Sequence, residues 1–82
     1  MDEDTEGRYY CLEATSVVHA KSLAAKSRRH FGEGYQRGRF VIVGPTSQRP
    51  WAWREALPAG GDWDMYSGET PAAAAEAAGI QL

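Results

Sequence analysis

The side chains best suited to nucleophilic chemistry in this 82-residue chain are Cys11 and His19. A cysteine nucleophile needs a base in contact with it and a third group that orients the base. Cys11 falls in the middle of a predicted strand and His19 on the outer side of the predicted helix that follows, so we expect the two to be separated. We therefore interpret Cys11 as a small buried hydrophobic residue and predict that the chain is not an enzyme.

Metal and phosphate chemistry are disfavoured by the same kind of argument. One cysteine and two histidines, His19 and His30, fall short of the four ligands of a structural zinc site. Asp62 and Asp64 lack the ligand spacing of a calcium loop. The glycines of the segment GEGYQRG follow a predicted helix and precede a predicted strand, which is the reverse of a phosphate-binding loop. We expect no cofactor and no metal.

The segment from Phe31 to Phe40 mixes aromatic and basic residues, among them Tyr35, Arg37 and Arg39. Stacking rings interleaved with cations are typical of proteins that bind single-stranded nucleic acid. The segment RGRFVIV also shares Arg-Gly and Phe-Val with the RNP1 motif of RNA-recognition proteins. That motif needs an aromatic and a small residue where this chain has only Arg39, so we treat the likeness as chance.

Charge is sorted along the chain. Residues 1–20 carry a net charge of −4, residues 21–54 carry +7 and residues 55–82 carry −5, within a total of −2. Clustered lysines and arginines steer association with anionic surfaces, whereas surface ion pairs contribute only about 0 to 1 kcal/mol to stability. Two interpretations of the middle block stay open. It binds a partner, or it is a solvated helix face whose charge is balanced by the acidic ends of the chain.

Two tryptophans, Trp51 and Trp53, share one face of a predicted strand. Packing in a thin core is the favoured interpretation, because tryptophan is the largest apolar side chain available. If the helix packs on the other face of that strand, the two rings are exposed and form a binding hot spot. The candidate partner-binding residues are thus Lys21, Lys26, Arg28, Arg29, Arg37, Arg39, Trp51 and Trp53.

Length and composition bound the class of protein. Eighty-two residues with 43% hydrophobic and 24% charged side chains indicate one folded domain with a thin core. Cys11 is the only cysteine, which excludes an internal disulfide and favours a reducing compartment. The acidic start does not fit a secretory signal, and no apolar run approaches the ~20 residues of a membrane span. We expect a cytoplasmic protein, in the host cell if the protein is viral, without membrane contact.

The first half of the chain predicts a strand followed by a helix. Residues 8–14 are rich in β-forming residues and place Tyr10, Leu12 and Ala14 on one face. A helix capped by Thr15 or Ser16 is predicted to follow. It ends at Gly32 and Gly34. The side predicted to pack on the sheet is Val17, Ala20, Leu23, Ala24, Ser27 and Phe31; the outer side is His19, Ser22, Lys26, Arg29 and His30, flanked by Lys21 and Arg28.

The second half predicts a hairpin and a short helix. Residues 39–43 form a strand that Gly44 and Pro45 end, and residues 51–57 pair with it as an antiparallel hairpin. Residues 58–61 form a turn, and residues 62–66 suggest a short fourth strand. Thr70 and Pro71 begin a last helix that is too short to be stable unless it docks.

The fold class expected from these elements is α+β, with one main helix on one face of an antiparallel sheet of three to four strands in the order β-α-β-β. Residues 1–7 are predicted to be a flexible acidic leader, residues 8–68 a single α+β domain and residues 69–82 a short alanine-rich helix that is docked or frayed.

A strand ending in Glu13-Ala14, a helix with Ala20-Lys21 and Ala24, a stop at Phe31-Gly32 and a hairpin resemble the small phage-encoded anti-CRISPR proteins of strand-helix-strand-strand layout. The resemblance covers roughly residues 8–57 and lies in architecture, so it transfers no binding residue. It implies a non-enzymatic inhibitor that binds a protein or ribonucleoprotein complex of a bacterial host stoichiometrically. The alternative is a small nucleic-acid-binding module that uses the basic helix and hairpin. The oligomeric state stays open.

Overall fold

The computed structural model describes residues 7–47, 54–58 and 66–82. The structure confirms the predicted α+β fold, with a main helix, an antiparallel sheet and a short C-terminal helix. The elements are β1 (Arg8–Glu13), α1 (Val17–Phe31), β2 (Glu33–Arg37), β3 (Phe40–Thr46), β4 (Leu57–Pro58), β5 (Ser67–Gly68) and α2 (Pro71–Ala77).

The sheet has β1 at its centre. Its strand order is β2-β3-β1-β4. The two-residue strand β5 pairs with Tyr9 and Tyr10, on the same edge of β1 as β4 but nearer the N-terminal end of β1. All described pairs are antiparallel, and Cys11 faces Ile42 while Leu12 faces Val41 across β1 and β3. Because side chains alternate along a strand, this register gives the sheet two apolar faces.

A helix covers each face of the sheet. The main helix α1 buries Ala20, Leu23 and Ala24 against alternate residues of β1 and β3. The short helix α2 buries Ala74 and Ala75 against the other face. The C-terminal helix is therefore docked, on the face of the sheet opposite α1, and the fold has three layers. The core residues on the α1 face also include Tyr10, Leu12, Ala14, Val41, Val43 and Ala56; those on the α2 face include Tyr9, Cys11 and Ile42.

Close packing places α1 directly on β2 and β3. Ser16 caps the helix by accepting the backbone N–H of His19, and Gly32 ends it with φ +102°. Gly34 is buried beneath the helix, where a Cβ atom would collide with the carbonyl oxygen of Ala24. The predicted packed face holds for four residues, but Val17 is 44% exposed because it lies in the first turn, beyond the sheet.

The buried hydroxyl of Ser27 joins α1 to the sheet. It donates to the carbonyl of Glu33 and accepts the N–H of Gly44 at 3.0 Å. These two residues face each other across β2 and β3. One side chain thus satisfies two backbone groups that would otherwise be buried without a partner.

Strand β2 corrects the prediction that residues 32–38 are only a helix stop and turn. Gly34 lies within the strand, and Arg37 ends it instead of lying in a loop. The strand escaped sequence analysis because its composition is polar and contains the glycine that α1 requires. Gly38, with φ +61°, and Arg39 form the two-residue connection to β3, where glycine supplies the positive φ of a tight hairpin.

Strand β3 extends beyond its predicted end. It continues through Gly44 and Pro45 to Thr46, and the Gly44–Pro45 peptide bond is cis. The proline is tolerated because the β1 register shifts between Arg8 and Tyr10, opposite this part of β3.

The predicted hairpin between residues 39–43 and 51–57 is wrong. Both sides of β3 are already paired, with β2 and with β1, and β4 is a two-residue strand that pairs with β1. Residues 54–56 lie in a turn. Trp51, Trp53 and most of the predicted strand 62–66 lie outside the described residues; Tyr66 is in a turn before β5.

Candidate functional site

The exposed side of α1 is basic. Lys21, Arg28 and Arg29 are exposed and Lys26 is half-buried, and the helix contains no acidic residue. Arg28, Arg29 and His30 fall in its last turn, where positive charge interacts favourably with the helix dipole. The helix thus presents a concentrated positive charge on a rigid element.

The cations of α1 differ in their partners. Lys26 Nζ lies 3.3 Å from Glu55 Oε2, and Arg28 Nη1 donates to the carbonyl of Gly34 at 2.8 Å. Lys21 and Arg29 have no partner among residues 7–47, 54–58 and 66–82. These two residues therefore carry positive charge that no described residue pairs with.

The outward stripe of α1 combines this charge with apolar surface. Val18, Ser22, Ala25 and Arg29 follow one another at helical spacing, and Lys21 lies beside them. Val18 is 77% exposed. We call these five residues the α1 outer face.

The remaining basic candidates lie elsewhere. Arg37 shares the α2 side of the sheet with Tyr35, and its Nε donates to the carbonyl of Gln81 at 3.0 Å. Arg39 lies in the β2–β3 turn, with Nη2 3.3 Å from Glu13 Oε2. The positive block of the sequence therefore divides between the two faces of the molecule instead of forming one patch. Trp51 and Trp53 lie outside the described residues.

A four-residue network that sequence analysis missed joins α1 to the segment before β4. Thr15 Oγ1 lies 3.3 Å from His19 Nδ1, and His19 Nε2 lies 3.3 Å from Glu55 Oε1. Lys26 binds the other oxygen of Glu55. The hydrogen bond from His19, together with Lys26, lowers the pKa of the Glu55 carboxyl. No local signal could have revealed the network, because 36 residues separate His19 from Glu55.

The order hydroxyl, imidazole and carboxylate in this network is that of acyl-transfer triads. Those sites also need a water-excluding cleft with donors for an oxyanion. Thr15 is exposed to solvent. The concavity lined by residues of α2 is on the opposite face of the sheet and does not enclose this network. We interpret the network as a structural contact that holds residues 54–58 against α1.

The surroundings of Cys11 do not favour a nucleophilic role. It is buried on the α2 face of the sheet, whereas His19 is on α1 at the other face. Burial, with a smaller effect of Glu13, raises the pKa of the Cys11 thiol to about 12. A reactive cysteine requires the opposite shift, because the thiolate is the nucleophile.

A carboxylate between two phenols lies on the α2 side of β1 and β2. Tyr9 donates to Glu33 Oε2 at 2.8 Å and Tyr35 donates to Glu33 Oε1 at 2.7 Å. Burial and the hydrogen bond to Glu33 raise the pKa of Tyr9 to about 12, and the two phenols lower the pKa of Glu33. The arrangement ties β2 to β1 across β3.

No group of three or more histidine, cysteine, aspartate or glutamate residues within the described part of the chain is arranged to hold a metal ion. None of the described helices is long and apolar enough to cross a membrane.

No protein-family model matches the chain, and neither the curated proteins nor the solved structures contain a significant match to it.

Proposed function

We propose that this chain is a non-enzymatic interaction protein, of phage or mobile-element origin, that inhibits a bacterial defence or nucleic-acid-processing complex stoichiometrically. The observation that supports binding is the α1 outer face, where Lys21 and Arg29 have no partner among the described residues and Val18 is largely exposed. The choice of target class rests on the layout that resembles anti-CRISPR proteins.

The geometry favours α1 as the contact element. A helix fixed to a sheet by close packing presents its side chains with little loss of backbone entropy on binding. Cations flanking an apolar side chain fit a protein surface that combines carboxylates with an apolar spot, because the rim charges steer encounter and the apolar contact slows dissociation.

The test is an inhibition titration with a purified CRISPR effector complex and its nucleic-acid substrate. We expect cleavage to fall linearly with added protein and to reach its minimum near equimolar protein, without turnover. The variant Lys21→Gln/Arg29→Gln should weaken inhibition at least tenfold. Arg37→Gln/Arg39→Gln loses the same charge away from the α1 outer face and should inhibit like the wild type. Equal loss in both double variants would contradict the α1 contact.

A second candidate, direct binding of single-stranded nucleic acid, is favoured by one observation. Tyr35, Arg37 and Phe40 share one side of the β2–β3 hairpin, which brings two rings and a cation together. Such binding must weaken steeply with salt. A mobility shift that is insensitive to salt, or unchanged by Arg28→Ala/Arg29→Ala and by Arg37→Ala, would rule it out.

A further inference from the structure

The two helices carry opposite charge on opposite sides of the molecule. The main helix α1 has four cations and no acid, whereas residues 69–82 carry Glu69 and Glu76 and no base. Both of these glutamates are exposed. Because α1 and α2 pack on different faces of the sheet, the sheet separates the four cations of α1 from Glu69 and Glu76.

The α2 side contains an open concavity of mixed character. It measures about 460 Å³ and is lined by α2 and the residues after it. Leu82 is 39% exposed at this groove, and Glu76 contributes a carboxylate. We call its lining the α2 groove: Ala72, Glu76, Ile80, Gln81 and Leu82.

The α1 outer face has the complementary character. Val18 projects from the helix with 77% of its surface exposed, and Lys21 and Arg29 lie near it without described partners. Ser22 and Ala25 between them are small, so a second backbone can approach closely. An exposed valine beside cations without described partners complements a groove lined by Ala72, Ile80 and Leu82 together with the carboxylate of Glu76.

We propose that the α1 outer face of one molecule docks in the α2 groove of a second copy, with Val18 against the apolar lining and Lys21 or Arg29 paired with Glu76. Arg37 already donates to the carbonyl of Gln81 in the lining. The incoming cation therefore pairs with Glu76, whose carboxylate has no partner among the described residues.

The two surfaces differ, so the contact is heterologous. A pair of molecules still has one unoccupied α1 outer face and one unoccupied α2 groove. Assembly therefore continues head to tail instead of stopping at a symmetric dimer. This association goes beyond the proposed inhibitory function, which requires only the α1 outer face and a foreign target.

Sedimentation velocity of the purified chain at increasing concentration tests the proposal. We expect the mean mass to rise above the 9.0 kDa of the monomer with concentration at low salt, and to fall again at high salt, because the Debye length shortens from about 30 Å at 0.01 M to about 3 Å at 1 M. Val18→Ser/Arg29→Gln, which disables the α1 outer face, and Glu76→Lys, which disables the α2 groove, should each be monomeric.

Mixing these two disabled variants gives the sharper result. Each supplies the half that the other lacks, so the mixture should form equimolar dimers that grow no further. Arg39→Gln removes a cation outside both surfaces and should assemble like the wild type. Circular dichroism confirms that every variant is folded before its mass is compared.

Three outcomes would overturn the proposal. The wild type stays at 9.0 kDa at every concentration and salt, Glu76→Lys assembles like the wild type, or the mixed variants fail to dimerise. Binding of a hydrophobic dye to the groove of a strictly monomeric wild type would identify a small-molecule site and also overturn it. Inhibition of a target by Glu76→Lys reports on the proposed function separately, because this variant keeps the α1 outer face.

Discussion

The two faces of the sheet are covered to different depths. On one face, the fifteen-residue helix α1 buries Leu23, two alanines and a serine that completes the sheet's hydrogen bonding. On the other face, the seven-residue helix α2 buries only the methyl groups of Ala74 and Ala75. Because burial energy follows the apolar area removed from water, α1 supports the whole fold, whereas α2 is a thin layer close to the limit of helix stability.

The first prediction compares the loss of stability on the two faces and has the largest expected effect. Leu23→Ala removes the one large side chain that α1 buries and should lower the free energy of unfolding by about 2 to 5 kcal/mol. Ala75→Gly on α2 should cost about 1 kcal/mol. Chemical denaturation measures both, and the exposed Val18→Ala should stay within about 0.5 kcal/mol of the wild type. Equal losses for Leu23→Ala and Ala75→Gly would refute the difference in depth.

The second prediction concerns the hydroxyl that only the α1 face possesses. Ser27→Ala leaves the carbonyl of Glu33 and the N–H of Gly44 without their described partner. The expected loss is about 1 to 3 kcal/mol, the cost of unsatisfied buried polar groups. Ser22→Ala makes the same chemical change on the exposed side of the helix and is the control. Faster amide exchange at Gly44 in Ser27→Ala would locate the effect.

The third prediction compares the helix caps. Ser16 and Thr70 both accept a backbone N–H from the residue three positions on, and each change to alanine should remove about 1 kcal/mol from its helix. Ser16→Ala should lower global stability by that amount, because α1 unfolds with the sheet. Thr70→Ala should mainly speed amide exchange within α2. A global loss in Thr70→Ala as large as in Ser16→Ala would show that α2 folds with the rest as one unit.

The last effect is expected only at high pH, on the α2 side of the sheet. The folded-state pKa of Tyr9 is raised to about 12 by burial and by Glu33. Its contribution to stability is therefore complete below the ordinary tyrosine pKa of about 10, and it is lost as the pH rises from there through about 12. Absorbance of tyrosinate at 295 nm should show a late titration of Tyr9, and the hydrogen bond to Glu33 also raises the pKa of Tyr35. In Glu33→Gln that midpoint should fall but remain above 10, because burial persists.

Several elements could be predicted because their signals are local. The alternation of β1 placed Tyr10 and Leu12 on one face and Tyr9 and Cys11 on the other, as the two core clusters confirm. Helix α1 carries a cap and an apolar period in its own sequence, and Thr70-Pro71 begins α2 as predicted. Each of these features depends on residues within a few positions of one another.

Other elements were predicted wrongly because distant residues decide them. Strand β2 looks like a polar turn until Gly34 is seen beneath α1. The predicted hairpin failed because β1 and β2 already pair with both edges of β3. The middle basic block does not lie together in space, because strand alternation places Arg37 on the side opposite α1.

Sequence alone predicts the α+β class, the main helix with its basic exposed side and the start of the last helix, since caps, periodicity and charge act over a few residues. The tertiary structure adds that α2 docks on the second face of the sheet, that Glu55 joins His19 and Lys26, and that the sheet separates the cations of α1 from Glu76. These features arise from the pairing of distant segments, and pairing depends on which faces and edges remain available once the sheet has formed.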